Sequence, residues 1–335
     1  MKHRAFLKKS IFTSVFLVFI HLSGYSADGI MWGQKDIRVI STKWFDIIYT
    51  PESSESAVLL YENADRIYYE IAELYGREPQ ERMPVVLSSQ TEQFNAYFST
   101  GYYNHIVLYD TSVTEDLAVF TNDLLSTFRH ELTHAYTYNL KNKFWSVIGD
   151  IFGEAVNPAG LFVTSGLAEG ATVTSESSYG EGRLNDEYAL HIVKQAKLEG
   201  KFPFYSDVQG SSDKYPFGSY YYFNGVFDQW LQKKYGMEKY AAWWYKMVNF
   251  QTVSQRTAFK NVYGIRLKDA WKEFENEFEV PDICLNPMNE NTELYGIKDF
   301  FSGSKETYSK KNNSGAVYKS LTSGKTGIAF IESSS

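Results

Sequence analysis

The chain has 335 residues, of which 44% are hydrophobic and 22% are charged, and its formal net charge is −7. This composition is typical of a globular protein, and the length allows a large core with more than one structural unit. Negative charge is spread along the chain and no Lys/Arg-rich block interrupts it, so we expect no nucleic-acid partner.

Residues 1–27 have the pattern of an export signal. A basic stretch, MKHRAFLKK, is followed by the apolar stretch IFTSVFLVFI and by HLSGYSA, a region of small residues that ends before Asp28. The apolar stretch is shorter than the ~20 residues that span a bilayer, so we expect no stable transmembrane segment once the signal is removed. Cys284 is the sole cysteine and cannot form an internal disulfide. Together these features predict an exported protein of a bacterial periplasm or envelope.

The segment 28–113 predicts a small N-terminal lobe of sheet and helix. Apolar residues recur with helical spacing through 55–76, where Gly76 ends the pattern. Strand-like stretches lie at 43–50, 83–89 and 105–110. We expect the last of these to be an edge strand, open to pairing with an extended peptide.

The segment 114–281 predicts a mainly helical lobe. Leu125, Phe128, Leu132 and Ala135 recur at steps of three and four residues, which places them on one buried helix face. Further helices are predicted at 165–177, 186–200, 216–236, 237–249 and 267–279. The predicted fold class is therefore α+β, with a small sheet-plus-helix lobe followed by a mainly helical lobe.

The segment 282–335 predicts a short β-rich tail. Asn, Ser, Thr, Gly and Lys become frequent after Pro281, and 315–321 and 325–333 alternate like the two strands of a hairpin. An isolated hairpin is marginally stable, so we expect the tail to be the start of a β-repeat domain cut short.

The pattern His130-Glu131-Leu132-Thr133-His134 lies inside the first predicted helix of the helical lobe. Two histidines one turn apart share a helix face, so both imidazoles can reach one zinc ion at ~2.0–2.1 Å. Glu131 is rotated away from the ligands and can accept a proton from a water at the metal. The alternative is that both histidines are hydrogen-bonded core residues.

A catalytic zinc ion requires a third protein ligand and an open position for water. Glu169 and His191 are the downstream candidates, and Glu169 is preferred because small residues around it allow close helix packing. Glu176 lies seven residues later on the same helix face and can hydrogen-bond an imidazole that holds the metal. His191 fits better as an ordinary residue of an amphipathic helix.

The segments HELTH and LAEGAT together resemble the gluzincin group of zinc metallopeptidases, in which a downstream Glu is the third ligand. Residues 43–280 further resemble bacterial exported peptidase MA-like proteins, through FDIIYTPE, PVVLSS, YYYFNGVFDQWLQKKYG and AWKEF. This resemblance implies a zincin-like fold, one Zn²⁺ ion and a peptide or protein substrate. It also implies that the tail begins a propeller-like domain.

The same resemblance implies that a tyrosine stabilises the oxyanion. Tyr222 and Gly225 match the family's Tyr-x-x-Gly, whereas counting back from Leu231 favours Tyr221, so both remain candidates. The apolar insert FWSVIGDIFGEAVNPAGLFV is a departure from the family's pattern; a lid and a membrane-touching loop are alternatives, and internal packing is preferred.

The sequence therefore predicts an exported zinc metallopeptidase with Glu131 as general base. The alternative function is a non-catalytic binding or assembly protein of the envelope, built on a peptidase scaffold. The presence of Glu131 favours the enzyme, because a purely structural zinc site has no use for a base.

Overall fold

A computed structural model describes residues 33–89, 95–101, 103–110, 123–186 and 189–280, and the strands at 315–319 and 326–330. The predicted export signal at 1–27 lies outside the described residues. The chain divides into two compact units, Met1–Phe278 and Glu279–Ser335. No helix within the described ranges is long and apolar enough to cross a bilayer.

Five strands form one mixed sheet in the order β1-β2-β3-β5-β4. Their bounds are Arg38–Ser41 for β1, Phe45–Tyr49 for β2, Met83–Ser88 for β3, Ala96–Ser99 for β4 and His105–Tyr109 for β5. Strands β2, β3 and β5 are parallel, and β1 and β4 add to the edges as antiparallel strands. The expectation that 105–110 forms an edge strand is wrong, because the short strand β4 pairs with β5 and becomes the edge.

Ten helices are present in the described residues. They are α1 Ser54–Tyr75, α2 Asp123–Tyr138, α3 Lys143–Phe152, α4 Ala159–Phe162, α5 Ser165–Glu176, α6 His191–Leu198, α7 Ser219–Tyr235, α8 Met237–Val248, α9 Gln255–Tyr263 and α10 Leu267–Glu277. The α+β class with a small sheet and a mainly helical C-terminal part is confirmed. The helix predicted at 186–200 begins only at His191, and α3, α4 and α9 were not predicted.

Helix α2 packs its apolar face into the core, as its sequence pattern predicts. Phe128, Leu132 and Ala135 are fully buried, and Leu125 is half-buried against the same core. The core is continuous between the sheet and the helices, so Phe128 contacts Phe45 of β2 with ring centroids 5.4 Å apart. This packing fixes the rotation of α2 and therefore the direction in which its histidines point.

Helices α5 and α7 approach each other closely because glycines remove the side chains between them. A Cβ atom on Gly170 would lie 2.5 Å from Oδ2 of Asp228, and one on Gly225 would lie 2.6 Å from Cγ1 of Val173. Both distances are far below van der Waals contact. The two glycines therefore set the separation of the helices that carry Glu169 and Tyr221.

The apolar insert forms α3, α4 and the turn between them. Internal packing is wrong for its outer face, since the exposed fractions of Phe144 and Ile151 are 64% and 65%. The inner face is anchored: the indole of Trp145 donates a hydrogen bond of 3.1 Å to the carbonyl of Asn249.

The second unit contains the predicted hairpin strands. Strand β6 spans Gly315–Lys319, strand β7 spans Thr326–Phe330, and the two pair antiparallel. The rest of the predicted tail lies outside the described residues.

Candidate metal centre

His130, His134 and Glu169 form the site's centre. The two histidines project from consecutive turns of α2, with ring centroids 5.1 Å apart, and Glu169 reaches them from α5. The Oε2 atom of Glu169 lies 3.1 Å from Nε2 of His130 and 3.3 Å from Nε2 of His134. One ligand atom from each residue falls within 4.8 Å of the other two, so these three residues can hold one metal ion.

The donor set and its spacing fit zinc. Two imidazole nitrogens and one carboxylate oxygen are the ligands of many catalytic zinc sites. Donor atoms around a tetrahedral ion with bonds of ~2.0–2.1 Å lie ~3.3 Å apart. The distances of 3.1 Å and 3.3 Å from the carboxylate to the two nitrogens match that spacing without rearrangement. Among the described residues, His191 belongs to no such cluster. The structure therefore brings the preferred candidate, Glu169, together with His130 and His134.

Glu176 fixes the orientation of the His130 ring. Its Oε2 atom lies 3.0 Å from Nδ1 of His130, which turns Nε2 of the same ring towards Glu169. The Glu176 side chain is 1% exposed, so its charge acts on the imidazole with little screening by water. Such a carboxylate–histidine pair holds a metal ligand in one tautomer and strengthens its basicity.

Arg183 is a residue of the site that the sequence analysis missed. It lies in a single 3₁₀ turn after α5, and its Nε is 3.4 Å from Oε1 of Glu176. Its guanidinium also lies over the ring of Tyr221, 5.1 Å from the centroid. An isolated arginine that follows Gly180 and Gly182 has no sequence pattern that indicates this role.

The site favours positive charge. Burial lowers the pKa of His130, but hydrogen bonds with Glu169 and Glu176 outweigh it and raise that pKa to about 10. Burial raises the pKa of Glu169, yet the charge of His134 and the imidazole hydrogen bonds bring it well below its usual range. The carboxylates therefore create a negative potential at the point where the imidazole nitrogens meet.

Glu131 is buried beside the cluster, with an exposed fraction of 7%. Its carboxylate forms no hydrogen bond or ion pair with another described residue, whereas Glu169 and Glu176 are both engaged. Of the three carboxylates, Glu131 alone has the freedom that proton transfer requires.

Tyr221 lies beside the metal-ligand candidates. The ring of Tyr221 is 6.3 Å from that of His130. Burial raises the pKa of Tyr221 well above its usual value, and the nearby charge of Glu169 raises it further. Tyr222 packs partly buried against the hydrophobic core. Adjacent residues of a helix point about 100° apart, so Tyr221 and Tyr222 leave α7 in different directions.

The comparison with known proteins assigns no family. No family model matches the chain. An uncharacterized protein from Treponema pallidum (strain Nichols) is 35% identical over 254 residues, which cover 75% of this chain and 22% of that protein. The chain thus spans about a fifth of the length of its curated relative.

Three solved structures are similar in fold at low scores. An M1 zinc metallopeptidase mutant from Deinococcus radiodurans has 14% identity and a TM-score of 0.41. The match covers 73% of this chain and 53% of the metallopeptidase chain. Native yeast LTA4 hydrolase has 13% identity and a TM-score of 0.40, with coverage of 81% and 44%. An aminopeptidase N family protein from Idiomarina loihiensis has 14% identity and a TM-score of 0.31, with coverage of 84% and 50%. Likeness at this level assigns no activity to the chain.

Proposed function

We propose that the protein is a zinc-dependent peptidase of the gluzincin type, within the exported peptidase MA-like group, acting on a peptide or protein substrate. The observation that carries the proposal is the convergence of His130, His134 and Glu169 beside the buried carboxylate of Glu131. A structural zinc site is usually closed by four protein ligands, whereas three described ligands converge here. The free carboxylate next to them is the additional group that hydrolysis requires.

When bound, zinc supplies a Lewis acid that polarises the peptide carbonyl and lowers the pKa of water to ~7. Residues of the chain carry out proton transfer, stabilise the oxyanion and position the other groups. Glu131 accepts the proton of the attacking water and delivers it to the leaving amine. The Tyr221 hydroxyl donates a hydrogen bond to the oxyanion, and its raised pKa keeps it protonated at neutral pH. Glu176 and Arg183 orient His130 and the tyrosine ring.

We further propose that the protein works in a bacterial envelope, after removal of residues 1–27. The support is the arrangement of basic, apolar and small residues in that segment. Cleavage before Asp28 would be visible as the N-terminal sequence of the protein purified from the periplasmic fraction.

The test of the activity is Glu131→Gln in zinc-loaded protein, with denatured casein as the substrate. We expect zinc content equal to that of the wild type and casein cleavage reduced by at least ~10²-fold, because the proton acceptor is removed and the ligands are kept. Glu199→Gln is the matched control, since Glu199 lies on the surface after α6 and bonds Lys201. Full zinc occupancy without cleavage in the wild type would instead identify a non-catalytic binding protein.

A further inference from the structure

A pocket of about 840 Å³ is separate from the metal centre, because none of the residues that line it belongs to that centre. It is bounded by the 3₁₀ turn Tyr205–Val208 and by the first turns of α9 and α10. A volume of this size is within the range of ~300–1,000 Å³ that holds small organic ligands.

The pocket is lined with positive charge in a protein whose net charge is −7. Arg256, Lys260, Arg266 and Lys268 contribute to its wall, and no acidic side chain does. Arg266 is partly neutralised, because both oxygens of Asp269 bond its guanidinium. By contrast, Arg256, Lys260 and Lys268 form no ion pair with any described residue. Three cationic groups around one cavity thus have their charge available for a ligand.

The placement of these charges opposes helix stability. Arg256 follows the N-cap Ser254 by two positions in α9, and Lys268 follows the N-cap Arg266 by two positions in α10. The N-terminal end of a helix carries partial positive charge and favours acidic residues. Arg256 therefore gains nothing in folding from its position, because the first turn of α9 holds no acidic residue, whereas Lys268 shares the first turn of α10 with Asp269.

Aromatic rings add an apolar surface to the same pocket. Trp271 and Tyr205 form its buried floor, held by a hydrogen bond of 2.8 Å from the Trp271 indole to the carbonyl of Pro203. Phe204 also lines the pocket, and its ring is 78% exposed. An exposed ring beside cationic groups suits a ligand that has an apolar or planar part as well as negative charge.

From this combination we infer that the pocket binds a small organic oxyanion, in which a phosphoryl or carboxylate group meets Arg256, Lys260 and Lys268 and a ring or apolar group packs on Phe204. The guanidinium of arginine and the ammonium of lysine both donate hydrogen bonds to the oxygens of either kind of anion. This site is independent of the proposed peptidase activity and carries a different ligand.

The test is calorimetric titration of the zinc-loaded protein with phenyl phosphate, phthalate and uncharged phenol, at low salt and at 0.5 M NaCl. We expect one of the two anions to bind with a stoichiometry of one and phenol not to bind. We also expect binding to weaken in salt because screening reduces the attraction. Whichever anion binds more tightly identifies the phosphoryl or the carboxylate source.

The double variant Arg256→Gln/Lys260→Gln should raise Kd at least ~10-fold, because it removes two of the three available charges. Lys233→Gln/Lys272→Gln removes two exposed lysines outside the pocket and should leave Kd unchanged. Phe204→Ala should weaken the binding of phenyl phosphate. It should leave the folded protein intact, since the ring of Phe204 is exposed. The inference is overturned if neither anion binds at low salt. It is also overturned if both double variants bind the anion as tightly as the wild type, because the anion would then be bound elsewhere, for example at the zinc ion.

Discussion

The Oε2 atom of Glu176 lies 3.0 Å from Nδ1 of His130, in a part of the structure where Glu176 is almost completely buried. This contact ties α2, the helix that carries His130 and His134, to α5, the helix that carries Glu169. Glu176 would act on a bound metal ion only through His130, and it is therefore a positioning residue.

Glu176→Gln should weaken zinc binding by ~10–100-fold, the usual effect of removing the carboxylate behind a ligand histidine. The amide keeps the size of the side chain but withdraws the negative charge from Nδ1. Competition with a zinc chelator measures the affinity directly. Equal zinc affinity in the variant and the wild type, with the fold intact by circular dichroism, would contradict the role assigned to Glu176.

Tyr221→Phe should lower kcat for peptide hydrolysis by ~10²–10³-fold with zinc content unchanged, because one oxyanion donor is lost. Tyr222→Phe is the matched control, since it removes the neighbouring hydroxyl on the same helix, and it should retain nearly full activity. The reverse order of effects would transfer the role to Tyr222 and refute the orientation of α7 described above.

Gly170→Ala should destabilise the protein by ~1–3 kcal/mol, the usual cost of overpacking. The added Cβ would meet Oδ2 of Asp228 at 2.5 Å and Asn224 Cβ at 2.9 Å, so α5 and α7 would have to separate. Gly160→Ala is the control: Gly160 is also helical, and a Cβ there meets nothing within 4 Å. Urea unfolding should show a lower free energy of unfolding for Gly170→Ala and no loss for Gly160→Ala.

Asp228 predicts a pH dependence of stability. Burial raises its pKa well above the ordinary value, although the hydrogen bond of 2.6 Å from the Tyr240 hydroxyl acts in the opposite direction. In the unfolded chain the pKa is ~3.9. Between these two values the folded protein binds the extra proton, so the free energy of unfolding falls as pH rises, by up to ~1.4 kcal/mol per pH unit.

Asp228→Asn removes this titration and keeps an oxygen that accepts the Tyr240 hydrogen bond. Urea unfolding of both proteins at pH 5 and pH 8 should therefore show a smaller loss of stability in the variant. The difference between the two proteins isolates Asp228 from other titrating groups. Parallel pH profiles would show that burial does not perturb this carboxyl.

The sequence predicted the parts of the site that depend on local structure. His130 and His134 share a turn of a helix whose buried face is clear from Phe128, Leu132 and Ala135. The small residues around Glu169 predicted that α5 packs closely against another helix. The sequence could not show that Gly170 is needed because Asp228 lies against it.

Features that depend on distant parts of the chain were missed or left open. The choice between Tyr221 and Tyr222 needs the rotation of α7, which is set by packing against α5. Arg183 reaches the site from a turn without any periodic pattern. Strand β4 has four residues, too few for an alternating pattern to stand out, and its pairing changes which strand forms the sheet edge.

The most direct measurement of the central claim is anomalous diffraction at the zinc edge from crystals of zinc-loaded protein. The account predicts one strong peak ~2.0–2.1 Å from Nε2 of His130, Nε2 of His134 and a carboxylate oxygen of Glu169, with Glu131 near the ion but outside bonding distance. A peak held by other side chains, or no peak between α2 and α5 at full zinc loading, would contradict it.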